Sequence, residues 1–239
     1  MKKLFTFFIL PVLALVLAYF IFASITKPVN FNKEVDARKA VAVERLKDIR
    51  TLQVTYKSAY NHYAPTMDTL IDFYNNGKIN IIMQIGSPDD SVAFAHTQQI
   101  RSKIGKKASD QFIYDNYFLK GDHNLVLNIP MPIAVKDTLF NSKPNFNIED
   151  LRYIPFSDND TIIMSTVIKV VSGVDVPLFE AKIPYGVRPA PGEPFRGLLK
   201  GLDEQLIINL NAEMTDTGRY PGLMVGSIEN ANNNAGNWE

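Results

Sequence analysis

The apolar run from Leu4 to Ile25 holds no charged side chain. At 1.5 Å per residue its roughly 22 positions extend about 33 Å, enough to cross a hydrocarbon layer about 30 Å thick, so the pattern predicts a transmembrane helix. Lys2 and Lys3 ahead of the run and Ala23 near its end also allow a cleaved secretory signal. The run exceeds the roughly 7–15 apolar residues of such a signal, and the position two before Ala23 is Ile21 rather than a small residue, so a retained anchor is expected. With no cysteine to acylate, a lipoprotein is excluded.

Directly behind the anchor the pattern changes to a stripe: Val35, Ala42, Leu46, Ile49, Tyr56, Tyr60 and Tyr63 recur at steps of three and four, interrupted only by Lys39 and Gln53. Those steps put them on one face of a long helix, with Glu44, Lys47, Arg50 and Lys57 elsewhere. Such a face either packs under the chain's own head or meets a partner helix, since a period near 3.5 is also that of a coiled-coil seam. Ala42, Leu46, Ile49, Tyr56, Tyr60 and Tyr63 are the candidate partner-helix face. Ala64-Pro65 closes the stalk, because the residue before proline is pushed out of the α region, and a short helix through Tyr74 is expected before a stop at Gly77.

Lys78 to Gln84 is β-rich and opens the head. Gly86-Ser87-Pro88-Asp89-Asp90 starts a helix, with Ser87 as the capping acceptor and the aspartates at the positive end of the dipole. Arg101, Lys103, Lys106 and Lys107 sit at its other end. Gln111–Leu119 and Asn124–Val135 read as extended, the second confined to an edge by Pro130 and Pro132. Asn147 caps a short turn, and Ser157–Asp160 is a turn by composition. Thr161–Val171 and Val174–Tyr185 form a hairpin about Ser172-Gly173. Gly186 to Gly197 is a proline-rich surface loop whose Arg188, Pro189, Pro191, Pro194, Phe195 and Arg196 are candidate contact residues. Leu202–Leu210 reads as helix or strand, with the alternation of Leu206, Ile208 and Leu210 favouring strand from Gln205. Leu223–Ile228 is the last strand. The asparagine-rich tail from Asn230 is of a kind that frays, yet it carries the only tryptophan, Trp238. That side chain either docks on the head or meets a partner or lipid headgroups.

The fold class expected is α+β: an N-terminal transmembrane helix continuing into a long amphipathic helix, with a mostly antiparallel β head. The divisions are a cytoplasmic tip at 1–3, the span at 4–25, a helical stalk with a short second helix at 26–76, the head at 77–229 and the tail at 230–239.

The membrane helix, its continuation through Asp48-Ile49-Arg50-Thr51-Leu52-Gln53-Val54-Thr55-Tyr56, and then Tyr60-Asn61-His62-Tyr63-Ala64-Pro65 and a short helix with Leu70 resemble the first third of type IV pilins and secretion pseudopilins. The resemblance covers residues 4–76. It implies a membrane-rooted helix bearing a β head. The chain departs from those families in having no Gly-Phe before the apolar run, where their prepilin peptidase acts, and no glutamate at the run's fifth position, which places their subunits in a filament.

Lys+Arg and Asp+Glu both number 25, so no global charge points to nucleic acid. The absence of cysteine removes disulfides, thiol catalysis and Cys-based zinc sites. His62, His96 and His123 lack metal-ligand spacing, Asp89 and Asp90 diverge as neighbours on a helix, and Ser157–Asp160 lacks the glycine and distal glutamate of a calcium loop. No phosphate-cradling loop, dinucleotide fingerprint, nucleophile elbow or zinc-protease motif is present. No catalytic residue, cofactor or metal is therefore assigned. The expectation is a single-pass protein of the cytoplasmic membrane, its C-terminal domain outside the cytoplasm, acting by contact with a protein partner or itself. A tethered receptor for a small ligand or polymer is the alternative, with an enzyme of unrecognised site behind it.

Overall fold

A computed structural model describes residues 10–105 and 108–239. The tip at 1–3, the start of the apolar run, and the dipole-facing Lys106 and Lys107 lie outside the described residues. One helix, α1 (Leu10–Tyr60), passes without a break through the expected boundary between anchor and stalk. It also passes through Pro28, whose missing N–H leaves the Ser24 carbonyl without its helical donor. Asn61, in the left-handed region at φ 63°, ends it by donating its N–H to the Lys57 carbonyl at 2.8 Å. The stop thus comes four residues ahead of Pro65, by the αL mechanism rather than by proline.

The described residues fall into two compact units. One holds the chain up to Lys57, Asn61–Met67 and Asn147–Glu239; the other holds Ser58–Tyr60 and Asp68–Phe146. The single head expected over 77–229 is thus divided between them.

In the first unit a three-stranded antiparallel sheet, β3 (Ile163–Val171), β4 (Val174–Pro184) and β5 (Gly222–Gly226), runs in the order β3-β4-β5. The expected hairpin is present, with Val171 opposite Val174. Its two-residue loop has positive φ at both Ser172 (54°) and Gly173 (81°), the primed turn whose twist matches the strands. Gly226, at φ 71°, brings β5 so near β4 that an added Cβ would lie 2.3 Å from the Phe179 carbonyl oxygen, a position only glycine fills. Between β4 and β5 the expected strand is instead a helix, α6 (Glu204–Asp216). Asp203 decides this by accepting from the Gln205 and Leu206 amides, and Ile207 rather than Ile208 is then buried.

The second unit pairs β1 (Lys78–Ile85) with β2 (Leu127–Ala134) antiparallel, from Lys78 opposite Ala134 to Ile85 opposite Leu127. In a two-stranded sheet both strands are edges, which is where Pro130 and Pro132 can lie: two residues apart, both lack an N–H only on the side away from β1. Preceding it is α2 (Met67–Asn76). Between the strands lie α3 (Ser91–Ile104) and α4 (Asp110–Asn116), then a 3₁₀ turn at Phe118–Lys120, and α5 (Val135–Thr138) follows β2. Asp90, not Ser87, caps α3, accepting from the Val92 and Ala93 amides. The extended reading of Gln111–Leu119 gives way to helix because Ser109 caps it through the Phe112 amide. Ile113 then joins Ile100, Leu125, Leu127 and Ile129 in the core, with Tyr117 and Phe118 packed against it. The fold is α+β with antiparallel sheets, but α4 and α6, where strands were expected, make it less β than the sequence pattern promised.

Candidate functional site

The two halves of α1 differ in what surrounds them. Val12, Leu13, Leu15, Val16, Leu17, Tyr19, Phe20, Ile21, Phe22 and Ile25 are exposed on every side of the helix. From Phe31 onward the face with Val35, Ala42, Leu46, Ile49, Leu52 and Tyr56 is buried, and Ala42, Leu46 and Ile49 are 0% exposed. The partner-helix face is therefore corrected: of its six residues only Tyr60 stays exposed, and the stripe is consumed by the chain itself. Tyr63 packs on Phe179 of β4 with ring centroids 4.7 Å apart.

The two polar interruptions in the stripe have separate uses. Gln53 is fully buried and forms a two-point clamp, its Nε2 donating to the Ala64 carbonyl at 3.0 Å and its Oε1 accepting from the Ala64 amide at 2.9 Å. The ammonium of Lys39 lies over the Tyr185 ring, 4.9 Å from its centroid. Arginines flanking the stripe clip three more segments to the helix. Arg38 donates to the Leu198 and Lys200 carbonyls, Arg45 to that of Tyr153, and Arg50 to that of Asn234 while pairing with Glu239 at 2.6 Å. Burial lowers the Arg45 pKa, opposed by Asp150 and Asp48. Burial also pushes the Tyr185 and Tyr220 phenols up to about 12, keeping both neutral at ordinary pH.

The tail does not fray. Gly236 bridges Val225, the Gly226 amide donates to the Ala235 carbonyl, and the Asn237 amide to that of Met224, at 3.0 Å each. The Asn237 side chain accepts from the Met224 amide and donates to the Gly222 carbonyl. Trp238 docks as one of its two readings required: its ring lies over Gly236, where an added Cβ would meet it at 2.3 Å, and its Nε1 is buried without a partner. The tail thereby closes the β5 edge of the sheet, a long-range pairing that only the Gly-Asn-Trp cluster hinted at.

The Arg50 hydrogen bond holds the Glu239 carboxyl below the usual carboxylate range. A depressed carboxylate stabilises the docked tail above its unfolded value, about 4.3, and that contribution is lost as pH falls through the folded value. We expect the emission of Trp238, the sole tryptophan, to stay constant from pH 7 to about 4.5 and to shift red below it. In Arg50→Gln the acid-side step is expected to vanish; an identical step in both proteins would contradict the pairing.

The proline-rich loop is folded rather than loose. Val187 and Arg196 exchange both backbone hydrogen bonds at 2.8 Å. Arg188 pairs with Glu204 and stacks over Phe195, 4.7 Å from its centroid. Phe195 is buried, so it is withdrawn as a contact residue, whereas Arg188, Pro189, Pro191, Pro194 and Arg196 remain exposed.

Acid–base chemistry finds little to work with. Among the described residues no group of three or more His, Asp or Glu side chains is placed to hold a metal ion. His96 pairs with Asp122 at 2.8 Å, His123 packs on Phe118 and His62 on Tyr56. Two surface hollows, of about 250 Å³ beside Tyr60 and Lys78 and about 220 Å³ beside Tyr63 and Ile168, fall short of the roughly 300–1,000 Å³ of small-molecule sites.

Comparison with family models, with curated proteins and with solved structures gives no match for this chain. Among the described residues, one helix is long and apolar enough to cross a membrane.

Proposed function

We propose that this chain is a single-pass, membrane-anchored, pilin-like envelope protein that acts through protein–protein contacts rather than catalysis. One observation carries the reading: a single continuous helix is apolar and exposed all round over its first half and buried against its own sheet over its second. In water, each large side chain left out would forgo about 1.5–3 kcal/mol of burial; lipid is the medium in which such a segment is at rest. Because no joint separates the halves, the anchor fixes the direction in which the first unit is presented. A helix emerging from lipid and packing its far half beneath an antiparallel sheet is also the arrangement that the resemblance to pilins implies.

The membrane is the cytoplasmic one, with the C-terminal units outside the cytoplasm and Lys2 and Lys3 inside. Lys27, Lys33, Arg38 and Lys39 weigh against that orientation when cations are counted, but Arg38 and Lys39 are engaged by Leu198, Lys200 and Tyr185. A long folded domain is moreover translocated largely regardless of nearby charge. Protease supplied from outside to cells with an opened outer envelope is expected to digest the head. Digestion only after the cytoplasmic membrane is disrupted would overturn the orientation.

A further inference from the structure

The sheet of the first unit closes one edge and leaves the other open. On the β5 side the tail supplies the missing pairing through Gly236 and Asn237. On the β3 side nothing does: β3 is last in the strand order, and among the described residues no other backbone pairs with it. The two-residue loop makes Val171 and Val174 a hydrogen-bonded pair, so alternate residues of β3 bond to β4 and the rest face outward. Met164, Thr166, Ile168 and Val170 are the outward ones. Pro177, opposite Ile168, agrees with this, since its missing N–H falls at a pair that exchanges no bonds across to β3.

Folded proteins blunt such an edge with charges, prolines, bulges or brevity. This one is nine residues long and β-branched, holds no proline, and has one charge, Lys169, whose ammonium is turned to the Glu229 carbonyl at 2.8 Å. Ile168 and Val170 are 60% and 70% exposed, and the smaller hollow, bounded by Thr166, Ile168, Tyr63 and Pro65, lies alongside to receive a side chain.

Lipid of the anchoring membrane cannot be the occupant. Met164 touches Gln53, which lies about 35 Å along α1 from Asn30 at 1.5 Å per residue. Contacts of Lys39 with Tyr185 and of Gln53 with Met164, the partner of Ala181, show β3 running on away from the anchor. A second copy in two-fold antiparallel pairing is excluded as well: β3 runs parallel to α1, so the two apolar segments would point in opposite directions, which one bilayer cannot hold.

We propose that the outer edge of β3 is a docking site for an extended, largely apolar segment of a partner protein, added to the sheet as a further strand. Backbone donors and acceptors at Met164, Thr166, Ile168 and Val170 give the affinity, and the hollow beside Ile168 selects an apolar side chain. The exclusion of lipid and of an antiparallel-paired copy rests on the membrane-anchored reading, whereas the edge is tested in detergent, so either can fail alone.

The test is amide hydrogen exchange on the full chain in mild detergent, with the acetylated and amidated peptide of β3's own sequence, Ile163–Val171, as the strand probe. Free of an anchor, that peptide can lie in either direction. Saturating peptide is expected to slow exchange at least tenfold at Met164, Thr166, Ile168 and Val170 and to leave Ser165, Val167 and Lys169 unchanged. Ile168→Pro removes one outward donor while sparing the ladder to β4, and Ile168→Lys charges the edge with the backbone intact; each is expected to weaken binding at least tenfold. No slowing, slowing without alternation, or binding indifferent to both substitutions would overturn the proposal. So would protection of the same four amides without peptide that grows with protein concentration, which would assign the edge to a second copy.

Discussion

Phe179→Ala is expected to lower the unfolding free energy of the first unit by about 3–5 kcal/mol, the range for removing a buried aromatic ring. Phe179 is fully buried, faces α1 from β4, packs on Tyr63 with tilted rings 4.7 Å apart, and has its carbonyl pressed against Gly226. The site cannot collapse easily, because β5 already approaches as closely as glycine allows and α1 is held on the other side by Arg38, Arg45 and Arg50. Phe179→Leu, which keeps much of the volume, is expected to cost about half as much or less. Urea unfolding in mild detergent, followed through Trp238 in the same unit, measures both. A loss below about 1 kcal/mol for the alanine variant would place Phe179 outside the core.

Gln53→Leu is expected to cost about 2–4 kcal/mol, although it puts an apolar residue at an apolar position. Both polar groups of Ala64, itself fully buried, take their partners from the Gln53 amide. Leucine would leave a donor and an acceptor buried and unpaired, at about 1–3 kcal/mol each before relaxation. Gln53→Glu is the sharper control, since a carboxylate accepts from the Ala64 amide but opposes its carbonyl. The same urea experiment reads both variants, and a leucine variant as stable as the parent would show that Ala64 finds other partners.

These two positions also mark how far the sequence could be read. The stripe on α1 was legible because a helix face buried along its length imposes its period on the residues, whoever covers it. What covers it was not: Phe179, Tyr185 and Tyr153 lie more than 100 residues further along the chain than Tyr63, Lys39 and Arg45, which they meet. Gln53 read as a flaw in the stripe, and only its bond to Ala64 turns it into a clamp. The hairpin at Ser172-Gly173 and the edge placement of Pro130 and Pro132 were legible because turn and proline chemistry act locally. Over Gln205–Leu210 a short apolar alternation suited strand and helix alike, and the Asp203 cap settled it. Gln111–Leu119 also suits either state, and there the Ser109 cap settles it as helix. Docking of the tail was one of the two readings Trp238 allowed, but its pairing with β5 was not legible, since asparagines bonding to a strand edge leave no periodicity.

Of the candidate site, the exposed apolar half of α1 was legible, because length and hydropathy are properties of the residues themselves. The open β3 edge was not, since a strand's place in a sheet is set by which neighbours it lacks.

Extraction of membranes bearing the full-length chain with alkaline carbonate tests the anchor most directly. The chain is expected to stay with the sedimented membranes, to be released by detergent alone, and to keep its apolar amino-terminal segment when the mature product is sequenced. Recovery in the carbonate supernatant, as a product beginning near Ser24, would contradict it.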